Sequence, residues 1–567
     1  MATRPDPGGV RPPVLYYWLA CLLLCAIALV VYSNSFQSGL VLDSRYFVLE
    51  DSRIRLPTQQ NLALILNHTL WWPRAESGLY RPITTLSLLF NYAILGNSDH
   101  PAGYHWINLF LHTVNVLLVF ALARRLMGDL RPAFLVAALW AVHPALTESV
   151  TNIAGRADLL AGVAILSALL MYLKSAEASG WPRVAWLVGV GAATTAGVFC
   201  KENAAAIPAV IALYELTWWK PGRWRGLLLS MAAMSPAFLA MWWTRSRVHA
   251  GLTTDGIPFV DNPIAAAGFW TGRLTAIKVL GKYLALLIWP AHLSADYSYP
   301  QIPLANGSPA DWSYCLLVAA LGFALIFLYR RNKIAFFAVA FAFVTLLPTS
   351  NLIIPIGTIM AERFLYLPAI GVSLCVTLIL YSLASRTFLG YWAPFFAGLL
   401  IVAALGARTW ARNADWLDDV TLWSAAVRTS PLSFKSHIGL AKALLAQDRD
   451  LTIDRALAEE EQGLALIDSL PAALSGSDFY IRAGMLYADR GDMLRAQPES
   501  ASKYKRAREL LLRGRSILHA EERDESANSN QASFRSDSDV FVDRLIFETE
   551  RKLAVKDEEP ANNAKQD

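Results

Sequence analysis

Acidic and basic side chains are sparse in the first 410 residues of this 567-residue chain, and many stand at the ends of apolar runs. Asp43 closes the stretch Gly39-Leu-Val-Leu-Asp-Ser, about ten residues beyond the first apolar run. A carboxylate reached through apolar residues suggests an acid held at the membrane surface near a lipid substrate. A helix cap or a solvated loop charge is the plainer reading of the same residue. Glu50 and Asp51 follow, and for them the plainer reading is preferred. His143, Glu148, Arg156 and Asp158 fall within one segment of 16 residues. An arginine there offers a lipid phosphate a fixed bidentate partner, and ion pairing inside a tight loop is the alternative. Lys201-Glu202 interrupts an apolar run, and Glu362-Arg363 opens another. Each couple reads either as a self-paired ion couple or as part of a site. His143 has no second histidine at metal-ligand spacing, so no metal ligand is expected. An ion-coupled transporter would carry such charges near the bilayer midplane. Here they gather at span ends, which favours chemistry at the interface.

The elements that hold these residues are set by composition. Residues 1–410 contain 28 Lys/Arg and 17 Asp/Glu, whereas 411–567 contain 22 and 28. The front is too apolar for a soluble domain, and the rear has ordinary soluble composition. A polytopic membrane protein with one soluble C-terminal domain follows. A soluble enzyme, a disulfide scaffold and a nucleic-acid binder are poor fits, and no nucleic-acid partner is expected. The five cysteines lie in or beside apolar runs and form no CxxC pair.

Eleven runs are long enough to cross, or nearly cross, about 30 Å of hydrocarbon. They lie near 15–32, 106–123, 133–149, 159–173, 184–200, 203–219, 227–244, 312–329, 334–350, 364–384 and 389–407. The first is read as an uncleaved span. Arg4 and Arg11, Arg124, Arg125 and Arg131, Lys174 and Arg183, Lys220, Arg223 and Arg225, Arg330, Arg331 and Lys333, and Arg386 all fall on one side. That side is the cytoplasmic one by the positive-inside rule. The first loop (33–105) and the tail then face the periplasm or a lumen. Residues 265–290 are apolar but carry Arg273, Lys278 and Lys282, and are read as lying at the outer interface. Residues 82–97 are read in the same way.

The tail shows amphipathic helices near 421–429, 435–447, 453–468, 478–491 and 503–521. Paired, they give about two and a half helix–turn–helix units near a period of about 34 residues. Residues 523–538 read as a linker, 539–556 as a last helix, and the end as disordered. The domains are thus a membrane domain (1–410), helical repeats (411–522) and a linker with tail (523–567).

Several motifs carry a resemblance. They are Val31-Tyr-Ser-Asn-Ser with Leu42-Asp-Ser, Tyr80-Arg-Pro-Ile-Thr, Val142-His-Pro-Ala-Leu-Thr-Glu-Ser-Val, Gly155-Arg-Ala-Asp-Leu-Leu and Cys200-Lys-Glu. Others are Asp261-Asn-Pro, Leu293-Ser-Ala-Asp-Tyr-Ser, Leu347-Pro-Thr-Ser-Asn-Leu, Ala361-Glu-Arg-Phe-Leu-Tyr-Leu-Pro and Arg412-Asn-Ala-Asp-Trp. In these, over about residues 30–450, the chain resembles the transmembrane and tetratricopeptide-repeat-containing (TMTC) family, which is related to protein O-mannosyltransferases. The resemblance implies an all-α, polytopic protein of the GT-C glycosyltransferase type with a TPR-like solenoid behind it. It implies a polyisoprenyl-phosphate sugar, typically mannose, as donor, and Ser/Thr hydroxyls of exported proteins as acceptors. The family's acidic pair in the first loop maps onto Asp43 and Ser44, so the first acid is kept and the second is not. Asp43 is then the candidate general base. Arg81, His143, Glu148, Arg156, Asp158, Lys201, Glu202, Glu362 and Arg363 form the candidate substrate-binding set. Arg156, Arg81 and Arg363 are the candidates on the phosphate side.

The chemistry of the residues agrees with that class. Transfer to a hydroxyl needs a base and cations to receive the departing phosphate, and displacement at the anomeric carbon inverts it. The repeats, on the same side, would hold the acceptor polypeptide. A glycan or lipid acceptor, a non-catalytic scaffold that recruits partners through its repeats, and a transporter are the rival readings.

Overall fold

The computed structural model describes residues 14–75, 78–220, 222–250, 256–384, 392–495, 497–529 and 537–563. These form helices and turns, with no strand among the described residues. Each of the eleven expected spans is mainly helical over its described residues, with 389–391 lying outside them. Among the described residues seven helices are long and apolar enough to cross a membrane alone: Val14–Gln37, Pro101–Met127, Ile153–Glu177, Gly180–Cys200, Trp224–Val248, Pro309–Arg331 and Ala393–Ala414. Leu130–Ala141 and Pro144–Val150 form a pair bent by 53°. Lys333–Thr349 and Pro368–Ala384 are shorter apolar helices, and Ile207–Thr217 has only 11 residues. Apolar side chains coat the outside of the bundle. Leu316, Phe323 and Ile326 on Pro309–Arg331 are each more than 60% exposed, which is a lipid-facing surface.

The helix ends sort onto two faces through direct contacts. On one face the Arg124 guanidinium lies 4.8 Å from the Tyr17 ring, and Arg125 pairs with Glu177. There too, Tyr172 donates to Glu215 (2.9 Å), Arg223 pairs with Glu215 (3.2 Å), and the Tyr329 hydroxyl donates to the Leu216 carbonyl (3.3 Å). The basic helix ends marked in the sequence therefore meet on one face; Arg4, Arg11 and Arg386 lie outside the described residues. On the opposite face gather the first loop, the breaks at 142–156, 201–206 and 351–367, and the start of the tail. The helix Phe269–Ile288 belongs to this second face along its length. Thr275 accepts from the Ala305 N–H (2.9 Å), Tyr283 from the Ala361 N–H (2.9 Å), and the Leu287 carbonyl meets His143 (3.0 Å).

The tail contains helices Asp419–Thr429, Phe434–Gln447, Arg449–Ile467, Ser477–Met493 and Glu499–Ser529, each packed on a neighbour. The expected linker at 523–538 differs from the structure, because Glu499–Ser529 continues as one helix through its first part. Residues 530–536 lie outside the described residues. The last helix runs Asp537–Asn563, longer at both ends than expected. The run of alternating charges from Glu548 to Glu559 has good helix formers and no break before Pro560, so the local propensity carries the helix onward.

Candidate functional site

Each charged couple sits where a helix is forced to stop. Before Pro144, His143 takes an extended backbone (ψ 124°), as a residue preceding proline prefers. The chain then bends and presents Glu148 on the one-turn helix Thr147–Val150. Lys201 is extended (φ −160°) and ends Gly180–Cys200, and Ala361 is likewise extended (φ −152°) just before Glu362. Charges in this position stay at the rim of the apolar bundle and are spared its interior.

Asp43 opens the short helix Asp43–Arg45 and is half-buried. Leu42 before it has φ 53° and ψ −132°, a region that L-residues rarely occupy and that costs about 1–3 kcal/mol. Among the described residues no group hydrogen-bonds the Asp43 carboxylate. Burial raises its pKa, against the opposing pull of Arg363, Lys435 and Arg81. The carboxylate is therefore unengaged among the described residues and partly desolvated, under the influence of three cations and of the Glu148 carboxylate.

Those cations are held by partners remote in sequence. The Arg363 side chain bonds Glu148 at 2.5 Å, and its own backbone N–H donates to the same carboxylate at 2.9 Å. Burial works against the Arg363 charge, but Glu148, Asp43 and Asp158 outweigh it and hold the guanidinium protonated more firmly than usual. Its side chain stays 30% exposed and borders a small cleft with Asp158, Asn203, Thr345 and Phe364. Lys201 pairs with Asp158 at 2.5 Å, both nearly inaccessible. Burial lowers the Lys201 pKa to about 8, with Asp158 opposing. Arg81 grips Glu202 through Nε (3.0 Å) and NH2 (2.6 Å). Thr84 fixes that register by donating to the Cys200 carbonyl (2.8 Å). Burial would raise Glu202, but Arg81 prevails and lowers it.

The couples are thus not self-paired. Lys201 and Glu202 part to different partners, and so do Glu362 and Arg363. Glu362 is fully buried; it accepts from the Ser294 N–H (2.5 Å) and Tyr297 (2.7 Å), with Arg412 at 3.5 Å. Burial lifts its pKa to about 7 against the pull of Arg412. It anchors the 293–298 loop rather than facing the cleft.

Two further candidates, Arg156 and His143, are taken up in structural contacts. Arg156 is fully buried. Its Nε donates to Asn108 (2.9 Å), NH1 to the Ser87 carbonyl (3.1 Å) and NH2 to the Tyr104 carbonyl (3.1 Å). Three of the five guanidinium N–H groups serve protein acceptors and the side chain is closed off from solvent, so Arg156 clamps three segments together. Asp158, in the same segment, pairs with Lys201. His143 is also a structural group: Nε2 meets the Leu287 carbonyl, and Nδ1 accepts from the Ala145 N–H (3.3 Å). Ser44, where the family's second acid would stand, is 0% exposed. It donates to Asn152 (2.7 Å) and accepts from the Ala154 N–H (3.2 Å).

The sequence reading missed the tail's share in this site. Lys435, on Phe434–Gln447, pairs with Asp261 at 2.5 Å and acts electrostatically on Asp43. Ser433 donates to Asp296 (2.5 Å), and Asp419 accepts from the Leu42 N–H (2.9 Å). Asp261 and Asp296 lie in motifs quoted above, which was the available signal. Among the described residues no three His, Cys, Asp or Glu side chains are placed to hold a metal ion.

No family model matches the chain. It is 28% identical over 530 residues to protein O-mannosyl-transferase Tmtc3 of Drosophila melanogaster, across 78% of this chain and 57% of that one. It is 28% identical over 500 residues to human protein O-mannosyl-transferase TMTC4, across 77% of this chain and 65% of that one. The chain thus spans less than two thirds of the length of either relative. Among solved structures, ArnT from Cupriavidus metallidurans bound to undecaprenyl phosphate aligns at TM-score 0.39 and 18% identity, over 79% of this chain and 76% of that one. The resemblance to TMTC proteins therefore extends over about three quarters of the chain.

Proposed function

We propose that this protein is an inverting, integral-membrane glycosyltransferase of the GT-C type. It transfers a sugar, mannose by preference, from a polyisoprenyl-phosphate donor to Ser/Thr hydroxyls of exported polypeptides. The observation that carries the reading is the half-buried Asp43 carboxylate, which no group among the described residues hydrogen-bonds and which feels the charges of Arg363, Lys435, Glu148 and Arg81. The names of the relatives point the same way.

The step balances. The acceptor oxygen forms a bond to the anomeric carbon as the bond from that carbon to the phosphate oxygen breaks. Asp43 receives the hydroxyl proton, and the lipid phosphate leaves with the electron pair and one more negative charge. Arg363 is the foremost cation for that charge, because its side chain keeps an exposed edge and its charge acts on Asp43 more strongly than that of any other cation. Arg81 and Lys201 stand behind it. The TPR-like tail holds the acceptor on the periplasmic or lumenal side, next to Asp43.

The test is mass spectrometry of exported proteins with and without this gene product, beside transfer by the purified full chain from polyprenyl-phosphate mannose to a Ser/Thr peptide. Hexose on exported Ser/Thr residues that disappears with the protein is expected. Unchanged glycosylation together with no transfer in vitro would favour a scaffold.

A further inference from the structure

Asp43 is held between two residues that are each tied to something else. On its C-terminal side Ser44 is locked to Asn152 and Ala154. On its N-terminal side Leu42 holds a positive φ, and the surroundings must enforce that conformation. What enforces it is the root of the tail. The Leu42 N–H donates to Asp419 Oδ1 at 2.9 Å. The Gly39 N–H donates to the Leu417 carbonyl at 2.9 Å. Val41 packs with the buried Trp416 and Leu422, with Leu42 and Ala295 against them.

Asp419 is not the cap of its own helix. Asp418 caps that helix, with its side chain accepting from the Thr421 N–H and the Thr421 hydroxyl accepting from the Asp418 N–H. The Asp419 carboxylate reaches back across 377 positions in the sequence to Leu42.

We propose that Asp419 is a positioning residue for Asp43: by holding the Leu42 amide it fixes the backbone that aims the carboxylate, so that the tail's root and the first loop form one catalytic unit. The proposal rests on the reading of Asp43 as the base. It gives the tail a part in the chemical step that is separate from holding an acceptor. Because Asp419 acts through Leu42, its loss lowers turnover and leaves donor binding in place.

Three substitutions in the full-length protein test this, with polyprenyl-phosphate mannose and a Ser/Thr peptide as substrates. Asp419→Asn keeps an acceptor oxygen in place and removes the charge. Asp419→Glu keeps the charge and displaces the acceptor by one methylene. Asp419→Ala removes both. Asp419→Asn is expected within about threefold of wild-type kcat. Asp419→Glu and Asp419→Ala should fall about 10- to 100-fold in kcat, the scale of a misplaced reacting group, with KM for the donor unchanged. Hydrogen exchange at the Leu42 amide should speed up in the same two variants and not in Asp419→Asn. If Asp419→Ala does not fold, the order of the other two decides. A purely electrostatic role would make Asp419→Glu the better enzyme, and that ranking in an active protein overturns the inference alone. A wild-type protein that transfers no sugar removes Asp43 as a base and this inference with it.

Discussion

Asp43 is placed where ionisation is opposed by burial and favoured by Arg363, Lys435 and Arg81, and burial prevails. A carboxylate raised above its unfolded value binds its proton more tightly in the native state. Its stabilisation is therefore fully present below the unfolded pKa and is lost as pH rises through the folded one. Turnover requires the ionised form, so the acid limb of the rate profile should lie above the ordinary aspartate range and vanish in Asp43→Asn. That substitution should cost about 10²- to 10⁴-fold in rate while leaving donor binding intact. The melting temperature in detergent should hold or rise at neutral pH, since a disfavoured charge is gone. A rate loss matched by equal loss of folded protein would mark Asp43 as a mere cap. Ser44→Asp has the opposite expected outcome to the restoration of an acid pair. The Ser44 hydroxyl is wholly buried and donates to the Asn152 side-chain oxygen, so a carboxylate there would face an acceptor. With the Ala154 N–H as its one donor at this position, a buried carboxylate is poorly compensated, and a fall in melting temperature, without gain in turnover, is expected.

At the scale of the element, Arg156 joins the helices Pro82–Leu89, Pro101–Met127 and Arg156–Glu177 through three neutral acceptors. Arg156→Ala should leave the buried Asn108 side-chain oxygen without its donor, at about 1–3 kcal/mol, and release the Ser87 and Tyr104 carbonyls from the clamp while the Ser87 carbonyl keeps its bond from the Phe90 N–H. Thermal stability should drop sharply, with donor affinity per folded molecule unchanged. Weakened donor binding in a normally stable Arg156→Ala protein would return this residue to the phosphate side. The error in the sequence reading has a physical source. Hydropathy marks helices, and His143-Pro144, Lys201-Glu202 and Glu362-Arg363 mark the breaks, because these are local properties of the chain. Pairing is not local: Arg363 meets Glu148 across 215 positions and Arg81 meets Glu202 across 121. A guanidinium that serves buried carbonyls looks, in sequence, like one that awaits a phosphate. The tail's first helices were legible as helices. That Lys435 and Asp419 reach Asp43's surroundings follows from how the tail folds back on the first loop, and nothing in their own neighbourhood announces it.

For the whole molecule, the separation of charge between two faces makes a topological prediction. The ends bearing Arg124, Arg125, Arg223 and Arg331 are linked through Tyr17, Glu177, Glu215 and the contact of Tyr329 with Leu216. Lys/Arg-rich short loops are retained in the cytoplasm, so reporter fusions after residues 128 and 222 should read cytoplasmic. The tail starts on the other face, bonded to the first loop through Leu42 and Asp419 and to the 293–298 loop through Ser433 and Asp296. A fusion after residue 420 should therefore read periplasmic or lumenal. The helix Phe269–Ile288 is the critical element. Were it a span, one crossing would be added between Val248 and Pro309, and the end of Pro309–Arg331 would lie opposite Leu216, against the contact with Tyr329. A fusion near residue 306 should accordingly read on the same side as one after 420. A cytoplasmic signal after 420 would carry Asp43 with it, since both are fastened together. An exported acceptor could then never reach the carboxylate, and the proposed transfer to exported polypeptides would fail as a whole.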